Sequence, residues 1–287
     1  MNGWLVIDKP LGVSSTYVGQ KLKRILKIKK IGHVGTLDPL ASGVLIFVLG
    51  EATKLIPYLK KNQKTYECEI TFGESRTTDD AEGDPVETSS HRPSKQDIET
   101  ILPHFIGKIQ QKPPAFSAIH INGKRAYQLA REGNLVDLPL RNVRIDHIEL
   151  LEHTQSSVKL RVVCGSGVYI RSLGRDLAKK LGTFGYISLL KRTQDDCFSI
   201  KDAFLLEKVA EMMDKLKVRG VIHSMETVLD DIPVVSVTQE MEKLLRLGQS
   251  ISNDSCNADL VWVHCNHIPV CLAKQYESCL IPKRVFN

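Results

Sequence analysis

The sequence predicts an α+β fold, on three observations. Val44 to Leu49 is a continuous apolar run that reads as a strand buried on both faces. Lys64–Phe72 and Val158–Cys164 alternate apolar with polar residues, the period-two pattern of half-buried strands. Between such strands lie segments with helical spacing, the first carrying Val18, Leu22, Ile25 and Leu26. At 287 residues the chain is long enough for one large domain with a small companion, and for a core that needs neither disulfide nor metal.

The elements follow in order. Trp4 to Ile7 reads as a short strand ending at Asp8-Lys9-Pro10, where Pro10 favours an extended predecessor and the chain turns. Ser14 and Ser15 are candidate N-caps for a helix from Tyr17 to Leu26. Its outer face carries Lys21, Lys23 and Arg24, and the basic run continues to Lys29 and Lys30; this is either a solvated face or a surface offered to phosphates. Gly32 to Gly43 is rich in glycine and has Pro39 directly after Asp38, so it is expected as an ordered loop. Anchored to the buried strand Val44–Leu49, such a loop can hold a reactive side chain firmly.

A helix is expected over Glu51–Lys61, then the strand Lys64–Phe72 with Tyr66, Cys68, Ile70 and Phe72 on one face. Gly73–Pro93 reads as a polar acidic loop, and Ser94 with Asp97 opens a helix to about Phe105. A strand is expected over Phe116–Ile121, a turn at Asn122-Gly123, and a helix over Lys124–Glu132. Strands near Arg141–Leu151 and Val158–Cys164 lead through Gly165-Ser166-Gly167 to a helix that ends at Leu181, with Leu173, Leu177 and Leu181 inward. Leu229–Pro233 reads as a linker, dividing residues 1–228 from 229–287. The second part holds a helix at Gln239–Leu247 and short strands near Leu260–His264 and Val270–Ala273, enough for a small barrel-like unit.

Composition excludes more than it identifies. The net charge of +6 is a mild excess, compatible with a polyanionic partner. The seven cysteines include no C-x-x-C pair, and Cys265 with His264, His267 and Cys271 fits no standard metal spacing, so no metal is expected. Asp8 and Lys9 interrupt what a signal peptide would need as an apolar run, and no run is long enough to cross a bilayer, so a cytoplasmic protein is expected. No phosphate-binding or dinucleotide fingerprint is present.

The stretch Gly32-His33-Val34-Gly35-Thr36-Leu37-Asp38-Pro39-Leu40-Ala41-Ser42-Gly43 resembles the signature loop of the TruB-type tRNA pseudouridine synthases. In that family the Asp of G-x-L-D-P-x-A-x-G is catalytic, which implies Asp38. Further stretches match in the family's order. Asp8-Lys9-Pro10 with Gly12 and Ser15 is similar to the N-terminal motif, and Lys64-Thr65-Tyr66 to the one whose Tyr lies against the target base. Pro113-Pro114 through Ser117-Ala118, with Gly123-Lys124-Arg125-Ala126-Tyr127, resembles the segment that helps hold tRNA. Gly167 to Leu173 resembles the motif whose Arg, here Arg171, pairs with the catalytic Asp, and Leu189 to Thr193 the segment that puts a Leu beneath the base. The chain's end, Pro282 to Asn287, is similar to a PUA domain. Two places differ: Gln194-Asp195-Asp196-Cys197 stands where the family has a Gly, and Arg76-Thr77-Thr78 where it more often reads Thr-Asp-Thr.

The resemblance implies a pseudouridine synthase core, a mixed and mainly antiparallel sheet flanked by helices, with a small β-barrel-like PUA domain. It implies catalytic Asp38, Tyr66 and Arg171, and substrate contacts from Lys9, Pro10, His33, Lys64, Lys124, Tyr169, Ile170 and Leu190. His33 would take the space the base leaves. The basic residues Lys21, Lys23, Arg24, Lys29 and Lys30 would meet the RNA backbone. The expected substrate is uridine 55 in the T stem-loop of tRNA, handled by a monomer without cofactor, because the isomerisation is neither oxidative nor hydrolytic. Taken singly, each residue has an ordinary reading: Asp38 as a turn residue before proline, Tyr66 as core, Arg171 as a surface ion pair. A carboxylate suits the first step as nucleophile or as partner of an oxocarbenium-like centre. It must stay ionised although enclosed, which a neighbouring Arg171 favours. Two alternatives stand beside the isomerase: a non-catalytic tRNA-binding protein, and a hydrolase needing a second acid, for which Asp80 is the candidate.

Overall fold

The computed structural model describes residues 1–59, 63–121, 123–134, 136–212, 220–229, 232–253 and 258–287. Strand β1 (Gly3–Lys9) leads to helix α1 (Ser15–Ile25). Ser14 is the cap, accepting from the Tyr17 N–H, while Ser15 lies inside the helix and is buried. The expected loop from Gly32 to Gly43 is shorter than its glycine content suggests. Strand β2 (Ile31–Val34) pairs antiparallel with the far end of β3 (Ala41–Leu49), leaving only the connection between them as loop. Two flanking strands thus satisfy the backbone on both sides of Asp38.

The helix expected at Glu51–Lys61 is a 3-10 helix, Gly50–Tyr58, with Pro57 inside it. Proline has no N–H to continue an α-helical ladder; Lys60 and Lys61 lie outside the described residues. Strand β4 (Lys64–Phe72) buries the predicted face. The acidic loop contains a small hairpin, β5 (Glu74–Arg76) with β6 (Pro85–Thr88). Helix α2 (Lys95–Ile101) has the reciprocal Ser94–Asp97 cap, and a 3-10 turn carries it to Phe105. Strand β7 (Gly107–Gln111) follows. Of the strand expected at Phe116–Ile121 only β8 (His120–Ile121) forms, paired with β9 (Lys124–Arg125), so α3 (Ala126–Arg131) starts later than predicted. The turn residue Asn122 is outside the described residues.

Then come β10 (Arg141–His153), β11 (Ser157–Cys164), α4 (Ile170–Lys180), β12 (Gly185–Asp195), β13 (Phe198–Ser199), β14 (Phe204–Leu205) and α5 (Leu206–Glu211). Among the described residues the main sheet has ten strands in the order β14-β1-β3-β12-β4-β11-β10-β7, with β2 on β3 and β13 on β12. Pairing is antiparallel except β12 with β3 and β1 with β14, so the sheet is mixed and mainly antiparallel. β12, at the centre, has no counterpart in the sequence reading.

The C-terminal unit contains β15 (Val234–Ser236), the helix Gln239–Arg246, β16 (Ile251–Ser252), β17 (Val261–Cys265), β18 (Ile268–Tyr276) and β19 (Cys279–Val285). Its strands curl into a five-stranded sheet, consistent with a PUA-like barrel. This unit is not a loose appendage. Trp262, Leu272 and Phe286 share one core with Trp4, Val6, Val44 and Val48 on the outer face of the main sheet. The Lys54 ammonium donates to the Val285 carbonyl at 2.6 Å, and the Trp262 indole to Glu226 at 2.9 Å. Among the described residues no helix is long and apolar enough to cross a membrane, and no cluster is arranged to hold a metal.

Candidate active site

Asp38 sits in the connection between β2 and β3, which is tied down from three sides. The Ser15 hydroxyl donates to the Leu37 carbonyl at 2.8 Å and accepts from the Leu37 N–H at 2.9 Å. The buried Lys9 ammonium donates to Val13 O at 2.6 Å, Pro10 O at 2.9 Å and Pro39 O at 3.3 Å, joining the N-terminal turn to the loop. Burial holds Lys9 down at about 8, against the pull of Asp38 and Glu82. Gly43 closes the loop with φ +98°, and a Cβ there would lie 2.1 Å from the Arg192 carbonyl oxygen, so only glycine fits.

Arg171, on the first turn of α4, meets this loop. Its Nη2 lies 2.9 Å from Asp38 Oδ2 and also donates to Phe116 O at 2.9 Å. Nη1 donates to Thr78 O at 2.9 Å, and Nε is 3.5 Å from Asp80 Oδ2. Every edge of the guanidinium is therefore engaged, and its orientation is fixed. The two carboxylates it meets differ. Asp80 is 2% exposed and accepts from the Thr78 hydroxyl at 2.5 Å and the Glu82 N–H at 3.0 Å. Asp38 is 41% exposed, so the acid expected to be enclosed faces an open cleft. Asp38 lies in the connection between β2 and β3 rather than within a strand.

A cleft of about 150 Å³ surrounds Asp38, lined by Tyr66, Tyr169, Ile170, Arg171 and Leu190 among others. Six residues expected at the site thus come together. The Gln111 side chain grips Tyr169 by its backbone, accepting from its N–H at 2.8 Å and donating to its carbonyl at 3.1 Å. Tyr66 is buried to 8% exposure, and burial pushes its phenol up to about 12, with the nearby Arg192 guanidinium opposing.

His33 flanks the cleft on β2, its Nε2 3.0 Å from the hydroxyl of Thr36, a lining residue. Burial, then Arg192, lowers its pKa, which keeps the ring neutral at pH 7. Pro10 is exposed at the turn held by Lys9. Lys64 points away from the cleft and pairs with Asp195. Lys124 is exposed and 3.6 Å from Glu132. Lys23, Arg24, Lys29 and Lys30 are exposed beside the half-buried Lys21, and Lys30 lies 3.6 Å from Glu51.

Sequence reasoning missed the buried pair Arg192 and Asp195 behind Tyr66, and named Asp80 only as a hydrolase's second acid, not as a partner of Arg171. Asp80 lay in a loop with nothing to connect it to Asp38; the connection is Arg171, 91 residues away. The two departures from the family pattern have structural accounts. Asp196, where a Gly was expected, adopts the left-handed φ of +58°, which Asp tolerates better than most residues. Thr78 supplies a carbonyl to Arg171 and a hydroxyl to Asp80.

The fold is the pseudouridine synthase fold, and it is similar to that of chains in two solved complexes. It superposes on a chain of a Cbf5-Nop10-Gar1 complex with a TM-score of 0.72 and 26% identity, covering 99% of this chain and 85% of that one. A chain of an H/ACA RNP bound to a substrate RNA containing 2'-deoxyuridine gives the same TM-score at 23% identity, with the same coverage. Residues 23–170 match the model of the TruB family pseudouridylate synthase N-terminal domain. "tRNA pseudouridine synthase B" of Sinorhizobium medicae (strain WSM419) is 40% identical over 298 residues, spanning 100% of this chain and 96% of that protein. The protein of the same name from Ehrlichia ruminantium (strain Gardel) is 40% identical over 296 residues, with full coverage of both. The chain belongs to the TruB family, and it is a pseudouridylate synthase, an isomerase.

Proposed function

We propose that this enzyme isomerises uridine to pseudouridine in tRNA, at uridine 55 of the T stem-loop. The reading rests above all on Asp38, presented at the mouth of a cleft and aimed by a buried arginine 2.9 Å away. The target base lies inside a folded loop and must be extruded to reach it. An extruded uracil would stack on Tyr66 over the apolar floor of Ile170 and Leu190, with His33 entering the vacated space. Asp38 then assists cleavage of the N1–C1′ bond, as nucleophile or as partner of the cationic sugar. The uracil turns in the cleft and C5 bonds to C1′. The C5 proton leaves last and passes to water, with the Tyr66 hydroxyl assisting its removal. No atom is gained or lost, so no cofactor is required.

Lys21, Lys23, Arg24, Lys29, Lys30 and Lys124 would meet RNA phosphates, and residues 229–287 would form a small RNA-binding domain on a monomer in the cytoplasm. The hydrolase alternative fares poorly, because Asp80 is buried with both oxygens engaged and has no opening through which to activate water. The test is to incubate purified protein with an unmodified tRNA transcript and map pseudouridine. Product at position 55 is expected. Bound but unaltered tRNA would favour a binding protein; free uracil would favour a hydrolase.

A further inference from the structure

We propose that Asp195 is a positioning residue: from behind the cleft it holds the Arg192 guanidinium against both Tyr66 and the Asp38 loop. This rests on the isomerase reading above. Strand β12 runs between β3 and β4, so that Arg192 lies opposite Gly43 on one side and Tyr66 on the other. In a regular strand Arg192 and Asp195, three residues apart, would point to opposite faces. A register shift between Arg192 and Gln194 against β4 inserts one residue and turns both inward. Their side chains are 1% and 3% exposed.

Arg192 is the bridge. Its Nε donates to Val44 O at 2.7 Å on β3, and Nη2 donates to Gly35 O at 2.7 Å, at the start of the Asp38 loop. It is also the register partner of Tyr66 across β12 and β4, and its charge favours the Tyr66 phenolate. Asp195 adds the charge on the remaining edge: its Oδ2 faces Nη1 at 3.3 Å as an ion pair, without a hydrogen bond of its own. The other oxygen, Oδ1, takes the ammonium of Lys64, which lies two residues before Tyr66 on β4. One carboxylate therefore separates a buried and a half-buried cation, and without its charge they would repel each other beneath the site. The loop is seated on this pair: a Cβ added to Gly35 would come 2.9 Å from Asp195 Oδ2. The charged or titratable groups facing Tyr66 are Arg192 and Asp195 from β12 and Cys164 from β11. The guanidinium favours the phenolate; the carboxylate and thiol disfavour it.

The experiment compares wild type with Asp195→Asn and Asp195→Glu in single-turnover and steady-state pseudouridine formation. Each is paired with NMR titration of carbon-labelled tyrosine, using Tyr66→Phe to assign the signal. In Asp195→Asn, kcat should fall roughly ten- to a hundred-fold, the scale of a small misplacement at a reacting centre, while KM for tRNA stays at its wild-type value. The Tyr66 titration should move to lower pH, because the positive neighbour is no longer balanced. Asp195→Glu, which keeps the charge, should restore most of both. If Asp195→Asn does not fold, Lys64→Met/Asp195→Asn replaces it, since removing both outer partners strands no ammonium; the same fall in kcat is expected. Wild-type kcat in the folded variant overturns the inference. So does a fall that tracks lost tRNA affinity while Tyr66 titrates as before. No product from the wild-type enzyme would instead sink the isomerase reading, leaving the tyrosine titration as an independent test of the positioning role.

Discussion

Replacing Arg171 by Met should separate the two jobs its guanidinium performs. The side chain is 5% exposed and meets two carboxylates and two backbone carbonyls. Asp38 is 41% exposed, so its share of the stability is that of a solvated pair, about 1 kcal/mol or less. Asp80, at 2% exposure, is left as a buried carboxylate without its cation, which costs roughly 3–5 kcal/mol. The buried pair dominates. For a chain of this size each kcal/mol moves the melting temperature by about 2 °C, so a drop on the order of 10 °C is expected. Urea denaturation and calorimetry measure it. Adding Asp80→Asn to Arg171→Met should return about 1–3 kcal/mol, because the amide can still accept from Thr78 and Glu82 without carrying a charge. Pseudouridine formation should stay lost in both variants well below their melting points, since Asp38 has lost its anchor. A loss of stability below about 1 kcal/mol for Arg171→Met, or further destabilisation from Asp80→Asn in its background, would refute the reasoning.

Other expectations follow from the same geometry. Asp38→Asn should abolish pseudouridine formation while changing stability by no more than about 1 kcal/mol and tRNA affinity little, as read by product mapping, melting and filter binding. Tyr66→Phe should bind tRNA but slow the release of label from 5-tritiated uridine by about a hundred-fold, the scale of one proton-transfer group. His33 has its pKa lowered in the folded state, so the unfolded chain binds the proton more readily; stability is fully present above pH 6.5 and is lost as pH falls through the folded value. His33→Gln should flatten the melting temperature below about pH 6.5, where the free imidazole takes up its proton. Neutralising Lys23, Arg24 and Lys29 together should weaken tRNA binding and reduce the slope of log K against log salt by about 2 to 3, which a salt titration would reveal.

The strands β3, β4 and β11 were legible in the sequence because each presents a plain pattern: unbroken apolar residues or strict alternation. Helix α4 was legible for the same reason, through Leu173 and Leu177. The central strand β12 was not. Lys191, Arg192 and Asp195 break its apolar character, and Arg192 and Asp195 belong in a core only because charges from β4 and from β12 itself neutralise them. No local window contains that information. Asp38, Tyr66, Arg171 and Leu190 were found through motifs, and the structure gathers them around one cleft. The pairing of Asp80, and Asp195 altogether, were missed because their roles depend on partners 91 and 131 residues away. The β2 strand was missed because Gly32 suggested irregular chain, whereas its order comes from pairing with β3.

The shared packing of Trp262, Leu272 and Phe286 against Trp4, Val44 and Val48 has a practical consequence. Cutting the chain after residue 228 would strip the cover from one side of the very strands that carry the aspartate loop. A shortened enzyme that failed to act would then say little about whether its missing part touches RNA. The cleaner route leaves the apolar seam intact and alters only outward-facing positions of the small barrel, such as Ile281 or Tyr276.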